Sequence, residues 1–194
     1  MSKFRNKYRI KSARLQNWDY GWNASYFVTI CTANRECWFG NIVDDEMKLS
    51  EIGAKADEYW LAIPEHFPFV KLDVHVIMPN HVHGIIVIDK TDDGRNNDNN
   101  DNHFMGRNVE TQNFASLQPP QPPKNKFGPQ SQNLASIIRG YKTGVTQCAR
   151  NNNIDFAWQS RFHDHIIRDN ESYQRIKKSI INNPKNWGKD KFYT

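Results

Sequence analysis

Apolar and polar positions alternate along this chain with a period that changes several times, and each change predicts an element. In "ASYFVTICTA", residues 24–33, aromatic and β-branched residues crowd a short run, which predicts a strand, and "CWFGNIVDDEMKLS" beyond it predicts a hairpin-like element. In "SEIGAKADEYWLAI" the period lengthens to that of a helix. Ile52, Ala56, Tyr59, Trp60 and Ile63 recur on one side, Ser50 stands in front as an N-cap, and Pro64 and Pro68 end the run. "FVKLDVHVIM" and "HVHGIIVID" predict two neighbouring strands divided by the turn-forming pair Pro79-Asn80. Farther on, Leu134, Ile137, Ile138, Tyr141, Val145 and Cys148 step by threes and fours, the core stripe of an amphipathic helix, while Arg139, Lys142, Thr146 and Arg150 form the opposite stripe. "IDFAWQSRFHDHIIRD" reads as loop and strand, and "NESYQRIKKSIINNP" as a last helix opened by Asp169 or Asn170 and closed before Pro184. The order β, hairpin, α, β, β, α, β, α suits an α+β fold with an antiparallel-rich sheet and helices packed on one face.

One stretch breaks the pattern. From about residue 91 to 132 the chain is dominated by Asn, Asp, Gln and Pro, with few residues able to enter a core, and is expected to be a flexible insertion. The segments on either side look unable to stand alone, so the expectation is a single domain over 1–194 with an excursion inside it.

Charge adds a candidate partner. The 26 Lys+Arg against 21 Asp+Glu leave a net charge of +5, a mild excess that matters only where it clusters. Lys3, Arg5, Lys7, Arg9, Lys11 and Arg14 are followed at once by Trp18, Tyr20, Trp22 and Tyr26, a composition that suits a polyanion with exposed bases, although a solvated terminus has the same look. Three cysteines, Cys31, Cys37 and Cys148, give neither a disulfide framework nor a thiolate zinc site. With no signal-peptide core and no apolar run near the length of a membrane span, a soluble, cytoplasmic protein in a reducing compartment is expected.

The candidate chemistry begins at His81 and His83. Residues i and i+2 of a strand share a face, so the two imidazoles project side by side and are able to share one divalent ion, though a surface or hydrogen-bonded pair would have the same spacing. Without zinc-type cysteines, Mn²⁺ or Mg²⁺ is the expected ion, and Mn²⁺ is the better match to imidazole. On the last helix Ser172, Ile176, Ser179 and Asn183 share a face, so Asn183 has an oxygen to offer a metal; equally, Asn182 and Asn183 read as residues that simply finish the helix. Gln159, Arg161, His163 and His165 crowd a short span whose polar groups suit contact with phosphates or bases, and Arg139 and Lys142 suit the same work from the preceding helix.

These segments, "YFVTICTANR…CWFG", "VHVIMPNHVHGIIVI", "SIIRGYKTGVT", "WQSRFHDHIIRD" and "RIKKSIINNPKNW", stand in the order found in REP-associated tyrosine transposases, and the chain resembles that family over most of its length outside the insertion. The resemblance implies a ferredoxin-like α+β domain of the HUH endonuclease type that binds hairpins in single-stranded DNA as a monomer or homodimer, away from membranes. It implies a divalent ion, Mn²⁺ or Mg²⁺, on His81, His83 and Asn183; the charged and polar clusters above make Arg5, Arg9, Arg14, Arg139, Lys142, Gln159, Arg161 and His165 the candidate DNA contacts. In the family a tyrosine one helical turn before the third ligand attacks a backbone phosphate to form a 5′-phosphotyrosine.

Here that position is Ser179. A serine hydroxyl falls short of a tyrosine's by the length of a ring and is far less acidic than a phenol of pKa about 10, so strand cleavage is expected to be lost or severely cut. Tyr141 lies in a core stripe, and Tyr173 sits six residues before Ser179 and is turned away from its face, so neither is a natural substitute. Three readings follow: a transposase-family DNA-binding protein with a departed nucleophile, a non-catalytic, regulatory nucleic-acid binder, or a metal-dependent hydrolase that uses water as its nucleophile.

Overall fold

The computed structural model describes residues 3–4, 7–8, 15, 18–90 and 131–193. Short strands β1 (Lys3–Phe4) and β2 (Lys7–Tyr8) pair antiparallel at the N-terminus. The main sheet comprises β3 (Ala24–Cys31), β6 (Val70–Met78), β7 (His81–Ile88) and β8 (His163–Ile167), all antiparallel in the order β6-β7-β3-β8. Between β3 and β6 come the hairpin of β4 (Gly40–Val43) and β5 (Glu46–Leu49), helix α1 (Glu51–Leu61) and the single turn α2 (Ile63–His66). Helix α3 (Leu134–Asn151) joins β7 to β8, and α4 (Asn170–Ile181) follows β8. The succession β3-α1-β6-β7-α3-β8 with that strand order is the ferredoxin-like arrangement.

Local chemistry starts and stops these elements where the sequence places its signals. Ser50 Oγ accepts from Gly53 N at 3.1 Å to cap α1, Asn133 and Ser136 form a reciprocal capping box on α3, and Asp169 accepts from Ser172 N at 2.7 Å on α4. The β4–β5 turn uses Asp44 and Asp45 with φ of 52° and 62°, the left-handed pair that a two-residue hairpin requires.

Strand β7 is buried along nearly its whole length, so both of its faces need cover. Val82, Ile86 and Ile88 join Tyr26, Val28 and Ile30 beneath α1 and α3, the two helices that share one face as the pattern predicts. Ile85 and Val87 face the other way, into a smaller cluster with Phe27, Ile167 and the α4 residues Tyr173, Ile176 and Ile180. Helix α4 therefore forms a second helical layer, and helices lie on both faces of the sheet rather than one. Each fully buried isoleucine in these layers contributes about 1.5–3 kcal/mol relative to exposure. The larger cluster draws on residues from both sides of the expected insertion, of which residues 91–130 lie outside the described residues.

A β-bulge in β6 sets the position of α4. The register jumps between Leu72↔Ile86 and His75↔Gly84, so one extra residue reverses the in-out alternation: Leu72 packs under α1 and α3, whereas Val74 and Val76 pack under α4. Asp73, in the bulge, accepts from Tyr173 Oη at 2.6 Å and Lys177 Nζ at 2.9 Å. Burial alone would raise the Asp73 pKa, but these hydrogen bonds outweigh it and hold the carboxyl below its ordinary value.

Opposite His75 in β7, Gly84 meets the flat of Trp60; a Cβ built there runs into the indole ring. Gly84→Ala is expected to lower stability by about 1–3 kcal/mol through overpacking, read as a fall in the denaturant midpoint with an unchanged slope.

Candidate metal centre and nucleic-acid interface

Strand β7 opens on the candidate site. Pro79 and Asn80 form the two-residue turn between Met78 and His81, and the antiparallel register then sets His81 opposite Cys31 and His83 opposite Thr29. The two imidazoles share a face, with ring centroids 4.4 Å apart, and are nearly sealed from solvent at 0% and 8% exposure. His81 Nδ1 lies 2.9 Å from Asn80 Oδ1, and His83 Nδ1 lies 2.9 Å from Thr29 Oγ1. Burial drives both pKa values well below the usual histidine value; for His81 the nearby His83 pushes further in the same direction, while for His83 the Asp190 carboxylate pulls partly back. Both rings are neutral at pH 7.

The C-terminal segment closes the site from the other side. At the end of α4 the two asparagines divide the work: Asn182 Nδ2 donates to Lys178 O at 2.9 Å and finishes the helix, whereas Asn183 turns toward the histidines. A 3₁₀ turn over Pro184–Lys189 brings the chain round to Asp190, whose Oδ2 accepts from Asn183 Nδ2 at 2.8 Å and whose Oδ1 accepts from Phe192 N at 2.8 Å. The Phe192 ring lies 4.6 Å from the His81 ring, and Arg35 holds this tail by donating to Lys191 O at 3.1 Å.

His81 Nε2 and Asn183 Oδ1 are both buried and have no hydrogen-bond partner. Leaving such atoms unmatched costs about 1–3 kcal/mol each. Ligand atoms of His81, His83 and Asp190 lie within 4.8 Å of one another. Two imidazole nitrogens, an amide oxygen and a carboxylate suit a divalent ion such as Mn²⁺, and their shared need is a cation. Asp190 was not singled out from the sequence, where it sits as an ordinary acid among Lys185, Lys189 and Lys191; only the 3₁₀ turn brings it back to the histidines.

Ser179 is exposed on α4 and stands outside this buried group. Tyr141 is 3% exposed with its hydroxyl donated to Ala56 O at 3.1 Å, and the Tyr173 hydroxyl is given to Asp73, so both phenols are engaged elsewhere, as the sequence expectation had it.

The expected DNA contacts fall into separate places. Arg5, Arg9 and Arg14 lie outside the described residues. Arg139 and Lys142 line a groove of about 670 Å³ along α3 together with Thr143, Thr146 and Arg150. Lys142 donates to Gln159 O at 2.5 Å and lies 5.6 Å from the Trp158 ring; burial lowers its pKa. Gln159 thus meets Lys142 through its backbone carbonyl, and its side chain is not among the groups that line the groove. Arg161 is exposed, and exposed His165 lines a second recess with Arg168 and Arg175 at the start of α4. The N-terminal aromatics are largely spent on packing: Tyr26 is fully buried and accepts from Trp18 Nε1 at 3.2 Å, and Trp18 and Tyr20 lean on the main core. No helix among the described residues is long and apolar enough to cross a membrane.

No protein-family model matches the chain. An uncharacterized protein of Haemophilus influenzae is 39% identical over 184 residues, spanning 94% of this chain and 92% of that protein. Among solved structures, a REP-associated tyrosine transposase bound to a REP hairpin is similar with a TM-score of 0.52 at 18% identity, over 98% of this chain and 77% of that one. At that identity the likeness is one of fold, and it agrees with the ferredoxin-like sheet described above.

The depressed histidine pKa values set a pH dependence. The unfolded imidazoles take up protons near pH 6.5 while the folded ones stay neutral, so folding is favoured fully above that value and loses stability as pH falls from 6.5 toward the folded His83 value of about 4. In chelator, denaturant midpoints are expected to fall across this window, and a His81→Phe, His83→Phe double variant to fall less steeply.

Proposed function

The chain belongs to one family with the Haemophilus influenzae protein, and we propose that it is a DNA-binding protein of the REP-associated tyrosine transposase kind that recognises hairpins in single-stranded DNA. The observation that carries the proposal is the buried meeting of His81 Nε2 and Asn183 Oδ1 beside His83 and Asp190, a donor set that suits a divalent ion at the place where the resemblance calls for one. His81, His83 and Asn183 would hold the ion, with Asp190 as a fourth group from the tail. A bound ion there would polarise a backbone phosphate and offset charge developing on its oxygens.

Everything else in the proposal rests on the chain's own groups. The α3 groove offers Arg139, Lys142 and Arg150 to phosphates, and the half-buried Lys142 ammonium gains most from an anionic partner. Exposed Arg161 and His165 extend the cationic and hydrogen-bonding surface. The exposed Ser179 supplies no phenol at the attacking position, and Tyr141 and Tyr173 are committed elsewhere. These facts favour hairpin binding without strand cleavage by the protein as it stands.

A hairpin oligonucleotide incubated with Mn²⁺ tests both halves. The wild-type chain is expected to bind it and leave no covalent adduct, whereas Ser179→Tyr should produce a protein–DNA adduct resistant to denaturant. Absence of hairpin binding would overturn the DNA reading; absence of an adduct from Ser179→Tyr would overturn the assignment of position 179 as the lost nucleophile. Separately, replacing both Arg139 and Arg150 with Gln should flatten the slope of log affinity against log salt by about 1–2, while an unchanged slope would remove the α3 groove from the interface.

A further inference from the structure

Asn80 is fully buried, and its side chain has three hydrogen-bond partners, two at the amide nitrogen and one at the amide oxygen. Nδ2 lies 3.1 Å from Arg35 O and 2.8 Å from Phe192 O. Carbonyl oxygens accept and never donate, so the amide nitrogen must occupy that end of the carboxamide and the amide oxygen the other. That oxygen is the atom 2.9 Å from His81 Nδ1. An amide oxygen also only accepts, and His81 Nε2 has no hydrogen-bond partner, so the single proton of a neutral His81 ring belongs on Nδ1, where the acceptor is within bonding distance, and the lone pair on Nε2.

The same logic applies on the facing side. Asn183 Nδ2 points at a carboxylate oxygen of Asp190, which also only accepts, so Asn183 Oδ1 is the end left toward His81. With the His81 proton on Nδ1, Nε2 and Asn183 Oδ1 are both acceptors, in keeping with neither having a hydrogen-bond partner. The Thr29 hydroxyl beside His83 Nδ1 can donate or accept, so that contact sets no tautomer for His83.

We propose that Asn80 is a positioning residue that fixes His81 as the Nδ1–H tautomer, aiming its Nε2 lone pair into the site, and that the carbonyls of Arg35 and Phe192 fix Asn80 in turn. The residue that reads in the sequence as half of a turn also sets the state of a metal-ligand candidate, and it makes that state depend on the docked C-terminal tail. The role in ion binding rests on the function proposed above; the tautomer itself does not.

The test uses the full chain. Long-range ¹H–¹⁵N spectra of the ion-free wild-type protein are expected to show a protonated Nδ1 and an unprotonated Nε2 for His81, and the opposite pattern would overturn the proposal without any variant. Asn80→Leu, which removes the acceptor at similar volume, should shift His81 toward the other tautomer and weaken Mn²⁺ binding by about 10- to 100-fold in calorimetry. An Asn80→Leu protein with native tautomer and native Mn²⁺ affinity would overturn the assignment. A wild-type protein with the expected tautomer but no affinity for Mn²⁺ would uphold the positioning role and overturn the metal reading instead.

Discussion

The two-sided burial of β7 is the constraint on which the rest of the structure depends. A central strand with apolar side chains on both faces is locked by packing from α1 and α3 on one side and α4 on the other. His81 and His83 occupy its first turn-proximal positions, so their backbone is held by the most firmly packed strand in the molecule. A pair of imidazoles on an edge strand or loop would have the same spacing but would not hold the same geometry. The same requirement for cover explains α4: without it Ile85, Val87 and Phe27 would face water, and Asn183 would have no fixed route to the histidines.

The second half of the site is delivered through the bulge in β6. By taking one extra residue, that strand turns Asp73 toward α4, where it receives the Tyr173 hydroxyl and the Lys177 ammonium. Tyr173 is thereby a structural fastener. The pinned helix ends at Asn182, and Asn183, the 3₁₀ turn and Asp190 follow with little freedom. Two halves of a site more than a hundred residues apart in sequence are thus joined by one carboxylate that touches neither histidine.

Electrostatically the site is unusual in what it gathers. Buried polar atoms are nearly always paired with complementary ones, yet here His81 Nε2 and Asn183 Oδ1 are left without partners. The surrounding hydrogen bonds are satisfied, since Asn80, Thr29 and Asp190 each have partners, so the mismatch is confined to the inward-facing atoms. A core assembled only for stability would have placed a donor there. Ser179 stands in contrast, exposed on α4 outside this buried group.

The elements and their caps were legible in the residues themselves. Ser50 and Asp169 cap within three residues of where they stand, and the stripe from Leu134 to Val145 needs only a 3.6-residue period, so local chemistry determined where helices and strands begin and how His81 and His83 share a face. What the sequence left open was which polar residues are drawn inward. Asn80 read as a turn residue, Asp190 as one acid in a basic tail, and Asn182 and Asn183 as equivalent helix-enders, because their roles depend on partners 45 to 112 residues away in the case of Asn80 and on a turn that doubles back in the case of Asp190. Likewise Tyr26 and Trp18, which suited base stacking by composition, were claimed by the core once the sheet closed over them. Periodicity is a property of neighbours along the chain and survives in the sequence; the direction of a buried hydrogen bond is a property of neighbours in space, and only the tertiary structure decides it.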